Sequence, residues 1–315
     1  MLKNLFARVK KMPPAIWMIL VTILYFGFTT KNYYNTKNLT NVIIHATPLF
    51  IAACGQTMVI LTEGTDMSIG ATMNMVMVFW IILMKNGVAM SVAMVISLVA
   101  AIFVGFLNGI IVTKFRLPPF IATLGTMNIL NSIALSAANG STVTHRHEIY
   151  KIISRGVFLK TPYILWIAIA CFLLSWVLLN KMRFGTRVRA LGGNREALEV
   201  SGYSVHKAGM QVYIYSALMA GIAGLVLACR IESGHPSGAD GFEFNTVAAV
   251  LLGGTSMIEG RGSIVGTVFG VLLIQILRYS LVLQKISSIY QTAIIGIVVL
   301  IAVIVDASTK RKQEQ

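Results

Sequence analysis

Long apolar runs recur along nearly the whole chain, each closed by a short cluster of glycine, basic or small polar residues. The runs near 15–30, 39–61, 68–84, 89–113, 119–138, 162–180, 208–230, 246–257, 264–283 and 288–306 mostly approach the roughly 20 residues that a helix needs to cross a bilayer. They are continuous and lack the period-2 alternation of barrel strands. The pattern therefore predicts an all-α polytopic membrane protein with about ten transmembrane helices. The runs at 68–84 and 246–257 are short and adjoin glycine-rich breaks, so some helices are expected to be short or broken, and either of these two is a candidate half-helix.

The second break lies in TVAAVLLGGTSMIEGRGSIVGTVFGVLLIQILRYS (246–280), read as two membrane segments joined by a tight polar turn at Gly253, Gly254, Glu259, Gly260, Arg261 and Gly262. Gly262, Gly266 and Gly270 recur every fourth residue, and the missing side chains on that helix face let a neighbouring backbone approach closely. Ser216, Ala220, Gly224 and Ala228 repeat the spacing, as do Gly105 and Gly109. Close packing explains both sets, and no chemistry is assigned to them. The two breaks also resemble each other: LTEGTDMSIG (61–70) and LLGGTSMIEG (251–260) share Leu, Gly, Thr, Met and Gly in register.

Composition strengthens the membrane reading. Of the 315 residues 56% are hydrophobic and 12% charged, far from the roughly 25% charged residues of soluble domains. No linker, low-complexity tract or soluble unit interrupts the pattern, so residues 1–315 read as one transmembrane domain. The net charge of +15 raises nucleic acid as a partner, but the basic residues sit mostly in loops between apolar runs, where membrane orientation places them. Lys3, Arg8, Lys10 and Lys11 precede the first span, and Lys310, Arg311 and Lys312 follow the last. With ten spans both termini are then cytoplasmic, as are Lys114, Arg116, Arg261 and the loop 181–207, while 139–161 lies outside. The basic and then apolar N-terminus is followed by no small-x-small cleavage site and reads as a retained first helix. Cys54, Cys171 and Cys229 sit in apolar runs without ligand spacing and read as core residues.

Two acids, Glu63 and Asp66, share a membrane break. Either both lie in a short cytoplasmic turn, with Asp66 capping the helix that begins near Ser68, or Asp66 belongs to a translocation path. Asn74, Asn108, Asn128, Asn131, Asn245 and Gln275 are polar positions within apolar runs. They suit interhelical hydrogen bonds, or a hydrophilic path shared with Phe120. Tyr33, Tyr34, Tyr163 and Trp166 read as interfacial anchors. His145, His147 and Glu148 do not make a convincing metal site. No Walker A, GxSxG or HExxH occurs, so no catalytic residue, metal or cofactor is assigned, and the chain is not expected to be an enzyme.

The basic loop KMRFGTRVRALGGNREALEVSGYSVHK (181–207) contains a candidate short helix, Arg195 to Val200, with Asn194 as N-cap and Gly202 as a left-handed terminator. It reads either as a solvated basic loop or as a helix that sits in a groove of a partner motor protein.

Four blocks resemble the sugar-uptake ABC permease family that includes ribose permeases. VILTEGTDMSIG is similar to its early motif LTGGIDLSVG, with Asp66, Ser68 and Gly70 matching and Glu63 replacing a glycine. LPPFIATLGTMNI resembles PxFIATLGTM over Pro119 to Gly125. RALGGNREALEVSGYSVHKAGMQVYIYSALMAGIAG is similar to ALGGNxxAAxxSGIxVxxxKxxxYxxxGxxAxxAG. The stretch 248–270 resembles AAVxxGGTSxxGGxGxxxGTxxG. The resemblance implies the ABC-importer permease fold. It also implies a coupling loop at 181–207, where Arg195, Glu196, Ala197 and Gly202 would dock the ATPase; Leu198 and Tyr203 depart from the pattern.

The function so implied is the membrane subunit of a bacterial inner-membrane importer for a sugar or sugar-like solute. Two such subunits would form the path. A separate ATPase would bind the ATP, and a periplasmic or lipid-anchored binding protein would deliver the solute. The rival reading is a self-sufficient ion-coupled transporter, for which Glu63 and Asp66 are the acids nearest a coupling position. An intramembrane enzyme lacks a visible nucleophile and base. Ribose, galactose, arabinose, xylose, inositol and furanosyl signalling sugars all remain open as solutes.

Overall fold

Inside a bilayer a backbone has no water to bond, so an apolar run satisfies its N–H and C=O groups within its own helix. The computed structural model describes residues 14–30, 33–159, 161–257 and 260–311. Lys3, Arg8, Lys10, Lys11, Glu259 and Lys312 lie outside the described residues. The ten apolar runs are present as α1 (Pro14–Thr29), α2 (Thr36–Ile60), α3 (Ile69–Lys85), α4 (Met90–Thr113), α5 (Pro119–Ala137), α7 (Tyr163–Asn180), α10 (Val205–Ile231), α11 (Phe242–Leu252), α12 (Ile264–Leu283) and α13 (Ser288–Arg311). Two polar stretches carry further helices, α6 (Glu148–Arg155) in the first and α8 (Arg183–Gly193) with α9 (Arg195–Val200) in the second. Two-residue strands β1 (Val143–Thr144) and β4 (Ser233–Gly234) pair antiparallel, as do β2 (Val157–Phe158) and β3 (Thr161–Pro162).

Six of these helices, α2, α4, α5, α7, α10 and α12, are long and apolar enough to cross a membrane. The short α3 and α11 differ in kind. At 17 residues α3 is about 25 Å long, whereas the 11 residues of α11 give about 16 Å, half a bilayer. The chain reaches α11 by a re-entrant loop that descends along α3. Gly234 lies against Val78, the Ala239 N–H donates to Asn74 Oδ1 (2.8 Å), and Gly70 meets Glu243 and Ala239. The run expected at 246–257 is accordingly displaced: its helix ends at Leu252 and Gly254 turns with φ +82°, because the two glycines stop the helix before the apolar pattern does.

The centre of the bundle is α2, α3 and α10. α10 packs along α4, α2 and α3, α12 along α2 and α11, and α5 along α3. Glycines set these approaches. A Cβ at Gly224 would lie 2.6 Å from the Met73 carbonyl oxygen, and one at Gly55 2.8 Å from Ser216 Cα. On α12 a Cβ at Gly266 would strike the Gly253 carbonyl and one at Gly270 the Ala249 carbonyl; Gly262, expected on the same helix face, lies instead in the turn before α12, where a Cβ would lie 2.8 Å from Thr255 Cβ. Gly266 and Gly270 are thus the seat of the half-helix α11. Gly266→Leu forces α12 away from α11, at a cost beyond the about 1–3 kcal/mol of ordinary overpacking. The expected result is loss of the assembled subunit from the membrane fraction; normal assembly and uptake would mean that the contact is dispensable.

The bundle has two distinct ends. At one, α8 and α9 meet the α2–α3 turn and the α11–α12 turn, and Thr113 Oγ1 at the end of α4 is bonded to His206 Nδ1 at the start of α10. At the other lie α6, the β1–β4 pair and an ion pair between Arg155 and Glu232 (2.8 Å). Thr29 bonds Gln284 there (3.2 Å) and Tyr33 bonds Ser280 (2.9 Å), so α1 and α13 direct Pro14 and Arg311 toward the α8 end.

Candidate functional site

The α8 end gathers both helix breaks onto one short module. Asn194, extended at φ −162°, separates α8 from α9 and caps the latter by accepting the Ala197 N–H at 2.9 Å. Gly202 closes the segment with φ +80°, so α9 has the bounds and both terminators read from the sequence. Leu198 is buried with Leu191 and Ala208 in a small apolar cluster of its own; the branched residue that departs from the family pattern is what anchors α9. The opposite side of α9 is open, with Glu196 and Glu199 exposed and Val200 90% exposed.

Gly192, at the end of α8, is wedged between the two breaks. A Cβ there would strike the Leu61 carbonyl oxygen and lie 3.1 Å from Gly260 Cα. Arg195 Nη2 reaches the Thr62 carbonyl and Arg189 Nη1 the Gly262 carbonyl, each at 3.4 Å. The 61–70 and 251–260 stretches, similar in sequence, thus touch the same residue. Sequence reading found α9 but not this contact, because α8 lies in a basic stretch that reads as loop.

Asp66 is 1% exposed in the α2–α3 turn, in contrast to the exposed Glu63. Its Oδ1 accepts from the Ser68 N–H (3.0 Å) and hydroxyl (2.6 Å), and its Oδ2 from the Ser216 hydroxyl (2.9 Å). Ser68 in turn accepts from Asn108 Nδ2 (2.9 Å), and Asn108 Oδ1 from the Thr126 hydroxyl (2.6 Å). The carboxylate takes its donors from the start of α3 and from α10, and the chain of hydrogen bonds runs on through Ser68 to Asn108 on α4 and Thr126 on α5. Asp66 does not cap the α3 backbone further along than Ser68. Ser216, read from the sequence as a packing residue, is a partner of Asp66 as well.

The other path candidates are dispersed. Asn74 is fully buried and bonds Asp240 Oδ1 (2.8 Å) as well as the Ala239 N–H, holding the re-entrant loop. Gln275 is buried on α12, and Asn245 is half-buried on α11. Glu243, absent from the sequence candidates, is buried beside Gly70 and accepts from the Gly241 N–H (3.1 Å). Phe120 and Asn128 are exposed on α5, and Asn131 is half-buried with Oδ1 unbonded. Gly125, Asn128, Ser132 and Ser136 line one exposed face of α5. An open groove of about 710 Å³ runs past Asn128, Ser132 and Ser136 with Phe79, Ile129 and Ile133. The Ser132 hydroxyl donates to the Asn128 carbonyl (2.9 Å), whereas the exposed Asn128 amide favours a partner surface or water over lipid. By contrast, α4 exposes Val92, Val95, Ile96, Val99 and Phe103.

At the far end, His147 caps α6 by accepting the Ile149 N–H (3.2 Å), and the His145 ring lies 6.1 Å away, tilted by 34°. Among the described residues no group of three possible metal ligands occurs.

A family model described as branched-chain amino acid transport system / permease component matches residues 38–303. The chain is 34% identical over 299 residues to the ribose import permease protein of Bacillus subtilis, covering 94% of this chain and 92% of that one. It is 36% identical over 294 residues to the ribose import permease protein of Escherichia coli K12, covering 91% of each. It is also 29% identical over 309 residues to the galactose/methyl galactoside import permease protein of the same strain, covering 92% of each. No solved structure matches the chain.

Proposed function

The chain belongs to the sugar-uptake ABC permease family, and on that premise we propose that it is the path-forming subunit of an ATP-driven sugar importer in the bacterial inner membrane, working as a pair of copies docked on a separate ATPase. Its relatives are transport permeases and not enzymes. The observation that carries the reading is the α8–α9 module. One rigid piece touches both helix breaks through Gly192 and leaves Glu196, Glu199 and Val200 open, the arrangement needed to pass a motor's movement to two membrane turns at once. The exposed polar face of α5 supports a path between two copies, with Asn128, Ser132 and Ser136 along it. The basic residues at the far end, Arg146 and Lys151, suit an acidic surface on a solute-binding protein.

In this reading the ten helical segments include nine that cross and the half-helix α11, and the termini and α8–α9 are cytoplasmic. The test is uptake of labelled ribose, galactose, arabinose and xylose in a strain deleted for this chain, restored with and without its ATPase. Restored uptake that needs the ATPase supports the proposal; uptake that persists without it favours an ion-coupled transporter. For orientation, Ser141→Cys is expected to label from the periplasm and Ser204→Cys only from the cytoplasm, as basic loops are retained inside. Labelling of both from the periplasm would overturn the map.

A further inference from the structure

Beside α9 lies a second enclosure that the transport path does not use. A cavity of about 530 Å³ opens between Arg116 and Pro119 on one wall and Arg195, Glu199 and His206 on the other, a size suited to a small molecule. Its deepest polar group is Tyr213, 2% exposed, whose hydroxyl makes no hydrogen bond. A Cβ on Gly64, also in the lining, would lie 2.8 Å from that hydroxyl, so the phenol packs where only a glycine leaves room. Buried hydroxyls are normally paired, and this one, on a residue that lines the cavity, is left without a partner.

The rest of the lining selects a kind of ligand. Two guanidinium groups, Arg116 and Arg195, are balanced by two carboxylates, Glu196 and Glu199, so no net charge favours an ion of either sign. Donors and acceptors are both present in the lining, which suits hydroxyls that each donate and accept. We propose that this cavity binds a neutral polyhydroxylated solute of monosaccharide size from the α8–α9 side, and that its occupancy slows the transport cycle. The inference rests on the reading that the protein moves a sugar and that this side faces the cytoplasm. The facing walls are the α4–α5 loop on one side and α9 with the start of α10 on the other. A solute bridging them stabilises the arrangement in which they stand this close and opposes any step that separates them.

The test uses the permease with its ATPase in proteoliposomes whose ATPase faces outward. Ribose, galactose, arabinose and xylose are added in turn to that side at up to millimolar concentrations, with ribose 5-phosphate and inorganic phosphate as anionic probes. At least one neutral sugar is expected to lower ATP hydrolysis threefold or more. Tyr213→Phe removes only the hydroxyl, and Arg116→Asn keeps a residue type that tolerates the left-handed backbone at φ +56°. Each variant is expected to hydrolyse ATP at the wild-type rate without sugar and to lose the inhibition. Inhibition by no neutral sugar, inhibition by the anions alone, or equal inhibition of wild type and Tyr213→Phe would each overturn the proposal. Uptake of the same sugars distinguishes its failure from that of the transport reading: normal uptake without inhibition removes only this site.

Discussion

Gly192→Ala lowers sugar uptake roughly 5- to 150-fold, the range that about 1–3 kcal/mol of overpacking produces when it falls on one arrangement of a moving part. The added methyl would strike the Leu61 carbonyl and press on Gly260, so α8 has to withdraw from one break or the other. The subunit itself still assembles, because its bundle is held by α2, α3 and α10. Gly202→Ala is the control. It meets no atom within 4 Å, and its cost is confined to the left-handed backbone, on the order of 1 kcal/mol. The measurements are uptake, ATP hydrolysis and co-purification of the ATPase. Hydrolysis that continues while uptake fails in Gly192→Ala places the wedge in coupling; uptake equal to that of Gly202→Ala would show that the two breaks do not depend on α8. Glu196→Lys acts on the open side of α9 and is expected to reduce ATPase co-purification while leaving the bundle intact.

Much of this architecture was legible because bilayer chemistry is strict. A continuous apolar run has to be a helix, so the bounds of α12 and the start of α5 fall where the pattern changes, and Gly266 and Gly270 announce a close neighbour before that neighbour is known. What the pattern could not announce is where polar chain goes when it re-enters protein. SGHPSGADG (233–241) has the composition of a surface loop, yet it descends along α3 because Asn74 and Gly70 provide a partner and a gap. Glu243 was missed for the same reason: a single acid at the edge of an apolar run carries no signal without the glycine opposite. α8 was missed because its alternation of basic and apolar residues is weak and its buried side faces turns rather than another long helix. The path candidates separated according to what surrounds them. Asn74 and Asn108 on buried faces found partners, whereas Asn128 on α5 stayed open, and burial of that kind is a property of the assembled bundle rather than of any local sequence.

The convergence on Asp66 leads to the largest expected effect on stability. The start of α3 and α10 meet at this carboxylate, with α4 and α5 linked to it through Ser68, and its acceptors are used by the Ser68 N–H, the Ser68 hydroxyl and the Ser216 hydroxyl. Asp66→Ala removes the acceptors and keeps the buried donors, each of which costs about 1–3 kcal/mol when left unpaired. The Ser68 hydroxyl can turn toward another acceptor, but its backbone N–H cannot, so the loss is not fully recovered by rearrangement. Asn108→Leu, one step further out, leaves Asp66 its three donors and is milder. Thermal unfolding in detergent is expected to rank the variants wild type, then Asn108→Leu, then Asp66→Ala, with the last one depleted from membranes as well. The same comparison separates the two roles that an acid in a membrane break can have. If Asp66 is a structural knot, Asp66→Asn, which keeps one acceptor oxygen for the Ser68 N–H, recovers much of both stability and uptake. Wild-type stability in Asp66→Ala, with uptake alone abolished, would instead make the carboxylate part of the path.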